Sequence, residues 1–307
     1  MTLIRKPYEL DVQTKIKALI YGQAGMGKTT LALSAPSPLL LDFDGGVHRV
    51  NYGHQVPTVQ ITKWEDCEDV MKENLSDYGT LIIDTGGKML DFMAEYIIRK
   101  NPKLGKSNGA LTLQGFGERK GMFRQFCKQA MLMDKHLVFV AHRDTQKNGE
   151  DIRYVPMFGG SSYDDLVTDL DLVGYLEAVG KKRTLTFDPS DRNDGKNTCN
   201  LPSVMELPVV VDKDGNAAVN NFLQTAVINP YIANLEHRKV EAEKYAKVVQ
   251  EIREAIELIT DAKSANEFVG KIDKYEHVGS SKAMAATILS QKAKALGLKF
   301  EKDKGYV

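Results

Sequence analysis

A chain that runs from the apolar Ala18–Tyr21 straight into Gly22-Gln23-Ala24-Gly25-Met26-Gly27-Lys28-Thr29, and then into the helix-forming run Leu31–Leu33, has few folds open to it. The order is strand, G-x-x-x-x-G-K-T, helix. Glycines let successive backbone N–H groups turn inward as an anion nest, and a helix beginning at Lys28 aims its positive end at the same point. Phosphates belong there. Lys28 reaches the β- and γ-phosphates, and the Thr29 hydroxyl takes one position on Mg²⁺. Gly22, Gln23, Ala24, Gly25, Met26, Gly27, Lys28, Thr29 and Thr30 are therefore the candidate nucleotide-binding residues, and the surrounding fold is expected to be α/β with a mainly parallel sheet.

At 307 residues the chain has room for one large domain or a core with an appendage. Its apolar runs stay well short of the ~18 residues that cross a bilayer. The beginning, MTLIRKPYELD, has no hydrophobic stretch followed by a cleavage site, so a cytoplasmic location without membrane contact is expected. Cys67, Cys127 and Cys199 show neither disulfide nor zinc spacing. Net charge is zero, which argues against general polyanion coating, but it hides a local excess. Between Arg99 and Lys128 stand eight basic residues (Arg99, Lys100, Lys103, Lys106, Arg119, Lys120, Arg124, Lys128) against one acid, Glu118.

The strand Leu39–Leu41 ends in Asp42-Phe43-Asp44 before Gly45-Gly46, and Thr80–Thr85 is an unbroken apolar strand ending in Asp84. In open α/β sheets ligands sit beyond the carboxyl ends of the strands, so these acids face the nucleotide site. A carboxylate on a rigid strand roughly 55 residues after the phosphate loop is the pattern that orients Mg²⁺, which assigns Asp84 with Thr29 to the metal. A surface helix is expected from Trp64 to Leu75, and a helix from Gly87 to Lys100 turns Met89, Phe92, Met93, Tyr96 and Ile97 to one side as core.

The stretch 101–117 is basic, glycine-rich and without period, and Glu118–Met133 is helical. The strand His136–Ala141 ends in His142, placed to sense a terminal phosphate. A second irregular stretch, 144–161, interleaves Lys147, Arg153, Tyr154 and Phe158 with glycines, the composition that single-stranded nucleic acid binding uses. The candidate DNA-binding residues are thus Lys103, Lys106, Arg119, Lys120, Arg124, Lys147, Arg153, Tyr154 and Phe158. Two strands, 169–179 and 183–187, read as a hairpin, and a polar loop carries Arg192, Lys196 and Asn197. Beyond Pro230 long helical patterns take over, giving a division into residues 1–230 and a helical region 231–307.

Together these residues resemble the RecA-like P-loop ATPase core, most closely the compact phage-encoded ATPases of single-strand annealing recombination. The resemblance covers roughly residues 15–202. It implies ATP and Mg²⁺ as cofactors, and it places a water-activating acid at Asp44, where recombinases usually carry Glu. His142 matches the position of a γ-phosphate sensor, and 101–117 and 144–161 match the two DNA-binding loops. Lys196-Asn197 resembles a pair whose lysine reaches a neighbour's ATP, which implies a homo-oligomer, ring or filament. The helices after residue 230 have no match; they are candidates for contact with DNA, a single-strand binding protein or an annealing partner. The expected activity is DNA-stimulated ATP hydrolysis in recombination or strand annealing. Two alternatives stay open: a P-loop nucleotide or small-molecule kinase, and a non-catalytic, nucleotide-switched adaptor for replication proteins.

Overall fold

The computed structural model describes residues 4–5, 7–148, 151–159, 163–180 and 182–307. It divides into two compact units, Gln13–Ile232 and a second made of residues 1–12 with Ala233–Val307.

In the larger unit, β1 (Lys17–Gly22) leads through the phosphate loop into α1 (Lys28–Ala32). There follow β2 (Pro38–Asp42), β3 (Thr58–Gln60), α2 (Trp64–Val70), β4 (Thr80–Asp84), α3 (Gly86–Lys100), α4 (Leu113–Leu132), β5 (His136–Asn148), β6 (Asp151–Pro156) and α5 (Tyr163–Val167). β7 (Leu172–Val179), β8 (Lys182–Thr186), β9 (Lys196–Asn197) and β10 (Val204–Glu206) complete it. The sheet order is β10-β8-β7-β1-β5-β4-β2-β3, and every pairing from β7 to β3 is parallel. β8 and β10 extend one end antiparallel. The expected mainly parallel sheet with packed helices is present.

Alternation along the strands explains the layering. Leu19, Tyr21, Leu41, Leu81, Ile83, Leu137 and Phe139 face one way into a core shared with Met89, Met93, Phe123 and Phe126 of α3 and α4. Ile20, Leu40, Ile82 and Val138 face the other way and are equally buried. Strands buried on both faces read as continuous apolar runs, as parallel strands do. Cys67 and Cys127 lie in the first core, where burial pushes both thiols up to about 12.

Several boundaries differ from the sequence expectation. α2 stops at Val70, and its first turn is held by Asp66, which accepts from the Thr62 and Lys63 amides. α4 starts five residues earlier than Glu118, because the Thr112 hydroxyl caps the Gly115 amide. The 144–161 stretch is largely an antiparallel ribbon: β5 runs on to Asn148 and pairs with β6 from Arg143↔Pro156 to Asn148↔Asp151.

In the smaller unit, α6 (Asn229–Glu257) is joined by α7 (Ala262–Val269), α8 (Ser281–Ala295) and a short hairpin of β11 (Phe300–Glu301) and β12 (Gly305–Tyr306). Its own core is built from Val248, Ile252, Ile256, Phe268 and Leu289. Among the described residues, no helix is long and apolar enough to cross a membrane.

Candidate functional site

The site lies at the carboxyl edge of the parallel strands. β1 ends at Gly22, which pairs with His142 on one side and Leu176 on the other. A Cβ on Gly22 would collide with the Leu176 carbonyl oxygen, so only glycine lets β7 lie this close to the start of the loop. Gly27 closes the loop at φ 85°, a left-handed conformation that suits glycine, and α1 begins at the next residue. Lys28 is only 6% exposed, and its ammonium folds back onto the Gln23 carbonyl at 2.9 Å. Burial lowers its pKa, opposed by the charge of Asp84.

Thr29 and Asp84 meet as the spacing predicts: the hydroxyl donates to Oδ2 at 2.5 Å across 55 residues of sequence. Burial raises the Asp84 pKa, and Asp42 and Asp44 add to it, against the Thr29 hydrogen bond and Lys28. Among the described residues no group of three or more His, Cys, Asp or Glu side chains forms a metal cage. Mg²⁺ takes one or two protein ligands and fills the rest of its shell with water and substrate phosphates. Thr29 and Asp84 are a donor set of that kind.

Asp42 is occupied otherwise. Its carboxylate accepts the Gly46 and Val47 amides at 3.1 Å each and shapes the turn that carries Asp44. Asp44 is tied by its own amide to the Asp84 carbonyl, and its carboxylate lies 3.6 Å from Arg49. His142 stands near both signs of charge. Burial lowers its pKa, Lys28 and Arg49 push the same way, and Asp44 opposes them, so the imidazole is neutral at neutral pH. Arg49 was not singled out in the sequence; its two-residue distance from the Gly45–Val47 turn carried no signal.

The raised pKa of Asp84 has a stability consequence. A carboxyl whose folded pKa exceeds its unfolded value holds its proton longer when folded, so stability falls as pH rises through the folded pKa. Asp84→Asn is therefore expected to unfold at a higher temperature than the wild type in magnesium-free buffer at neutral pH. The gap should close toward acid pH, and the variant should lose the stabilisation that MgATP gives the wild type. Thermal unfolding across pH checks this; a variant less stable at neutral pH contradicts it.

Other candidates fall elsewhere. Lys196 lies on β9, which pairs with the amino half of β7, and its ammonium donates to the carbonyls of Val167, Thr168 and Leu170. It closes the end of α5, away from the carboxyl edge. Phe158 is not a stacking platform. It is fully buried, with ring centroids 5.6 Å from both Phe123 and Phe139. Arg119 is 8% exposed, donates to the Gly159 carbonyl and lies on the Phe116 ring. Arg124 is committed to Asp169 at 2.8 Å, and Arg153 to Asp194 at 2.6 Å. The faces of Tyr154 are taken by Tyr175 and by the guanidiniums of Arg143 and Arg192. Lys103, Lys106 and Lys147 are exposed, and Lys120 is half-buried. A cleft of about 860 Å³ between α3, α4 and the β5–β6 ribbon is lined by Asp91, Asp144, Asp164 and Asp194 against Arg119 and Arg153. Acids outnumber cations there.

A family model described as an AAA domain, AAA_24, matches residues 14–199. The chain belongs to the AAA_24 family. That match spans the phosphate loop, Asp84 and the whole parallel sheet, and it makes the larger unit an AAA-type P-loop ATPase domain. No curated protein matches the chain significantly. Among solved structures, the flagellar accessory protein FlaH from Methanocaldococcus jannaschii is similar at 10% identity and a TM-score of 0.38, over 67% of this chain and 87% of that one.

Proposed function

We propose that this AAA_24 protein is a Mg²⁺-dependent ATPase whose nucleotide state controls its hold on single-stranded DNA, acting as a homo-oligomer in recombination or strand annealing of the phage type. The observation that carries the ATPase part is the meeting of Lys28, Thr29, Asp84, Asp44 and His142 at one strand edge. Thr29 and Asp84 would hold Mg²⁺, which would supply positive charge to offset that of the phosphates. Lys28 and the loop amides bind the phosphates, Asp44 orients and deprotonates water, and neutral His142 reports the terminal phosphate. Arg49, 3.6 Å from the Asp44 carboxylate, helps to aim it.

Support for the DNA part is narrower than the sequence implies. It rests on Lys103 and Lys106 beside α4 and on Lys147 near the tip of the ribbon, all exposed. The cytoplasm is the compartment such a reaction needs, and the C-terminal helices are the proposed contact for a single-strand binding or annealing protein. Binding of a labelled oligonucleotide should weaken steeply with salt, and replacing Lys103, Lys106 and Lys147 by alanine should flatten the logarithmic slope by about 2, at roughly 0.7 per phosphate neutralised. A slope already flat in the wild type contradicts DNA binding.

One observation favours a second reading, the nucleotide-switched adaptor: the acid-lined cleft beside the ribbon suits a basic protein segment better than a polyanion. ATP binding without turnover, with or without DNA, would select it.

A further inference from the structure

The β7–β8 hairpin runs past the phosphate loop. β7 is in register with β1 up to Gly22↔Leu176, then continues through Glu177, Ala178 and Val179 beyond the end of its neighbour. β8 returns antiparallel, with Arg183 opposite Ala178. That register brings the Arg183 side chain to Gly27: a Cβ placed on Gly27 would lie 3.1 Å from Nη1 and 3.7 Å from the central guanidinium carbon. Gly27 immediately precedes Lys28 in the segment whose amides cradle the α- and β-phosphates.

Arg183 is exposed, and among the described residues no carboxylate lies within ion-pair distance of it. Its neighbour Lys182 differs, being paired with Glu206 at 2.7 Å. A planar fork of donors next to a phosphate nest, with no acid among the described residues to neutralise it, matches the geometry of a phosphate-oxygen clamp.

The geometry points to Arg183 as a nucleotide-binding residue that supplies, from within the same chain, a guanidinium to the α/β-phosphate part of the bound nucleotide. This rests on the ATPase reading above and adds a contact that neither the motif nor the family match assigns. Because the α- and β-phosphates are common to ATP and ADP, the contact strengthens binding of both and lowers KM, leaving the chemical step alone. It also places a cation at the loop that Lys196 does not provide.

The test measures ATP and ADP binding by calorimetry, and steady-state turnover, for the wild type, Arg183→Ala, Arg183→Lys and Lys28→Met. Arg183→Ala is expected to weaken both nucleotides about tenfold, the loss of one charge-assisted contact at a solvent-facing site. KM should rise in step while kcat stays within about twofold, and Arg183→Lys should recover part of the affinity. Affinities within about twofold of the wild type would overturn the inference, as would a fall in kcat alone. A nucleotide-free Arg183→Ala protein that unfolds early, with lysine giving no recovery, would assign the residue to the fold and overturn it too. Failure of the wild type itself to bind nucleotide, with Lys28→Met no different, would overturn the ATPase reading and with it this contact.

Discussion

Lys28→Met is expected to cut phosphate release from ATP by at least about 10²-fold while leaving the protein folded. The ammonium is buried and its pKa is lowered by that burial, so the folded chain bears a desolvated cation whose natural counterpart is a phosphate. The ammonium donates to the Gln23 carbonyl. A group whose folded pKa is depressed contributes less to stability as pH falls through its unfolded range toward the folded value. Replacing it with an uncharged side chain of similar length should therefore not lower the nucleotide-free unfolding temperature at neutral pH. Turnover assayed beside thermal unfolding checks both halves, and a folded variant with near-normal turnover would remove the phosphate loop from the mechanism.

Phe158→Ala is expected to destabilise the larger unit by about 3–5 kcal/mol, the usual cost of emptying a fully buried aromatic site. Phe158 closes a triangle of rings with Phe123 of α4 and Phe139 of β5, joining a helix layer to the central strand of the sheet. The chain reaches that position because the Met157 amide bonds the His142 carbonyl, turning the end of the ribbon back over the core. Denaturant unfolding reads the loss directly. At temperatures where the variant is folded, its DNA affinity should match the wild type; unchanged stability with lost DNA binding would restore Phe158 as a base-stacking residue.

These two residues mark what a sequence shows and what it hides. Lys28, Thr29 and Asp84 were legible because their chemistry is bound to local context: a loop between a strand and a helix, and an acid ending an apolar run. The parallel sheet was legible for the same reason, since strands buried on both faces leave continuous apolar stretches. The 144–161 segment was not. β5 beyond His142 pairs only with β6, and Asp144, Thr145, Gln146 and Lys147 are exposed on both faces, so they follow no apolar alternation and look irregular. The same absence of pattern disguised Phe158 as a loop aromatic. Gly115 and Gly117 delayed the apparent start of α4, whereas the Thr112 cap and packing of Gly115 on Leu104 and Leu111 begin it earlier.

Lys196 is a different case. The Lys196-Asn197 pair suggested a role that depends on where the sheet carries it, and the pairing of β9 with the first residues of β7 sets that place. Arg183 is the converse case. Nothing in Lys182-Arg183-Thr184 marks it, and only the hairpin register brings it to Gly27.

The measurement closest to the central claim is steady-state phosphate release from MgATP by the wild type, with and without single-stranded DNA. The expected result is turnover that DNA accelerates and that rising salt returns to the DNA-free rate. Turnover indifferent to DNA at low salt would leave the AAA-type ATPase in place and contradict the assignment to DNA.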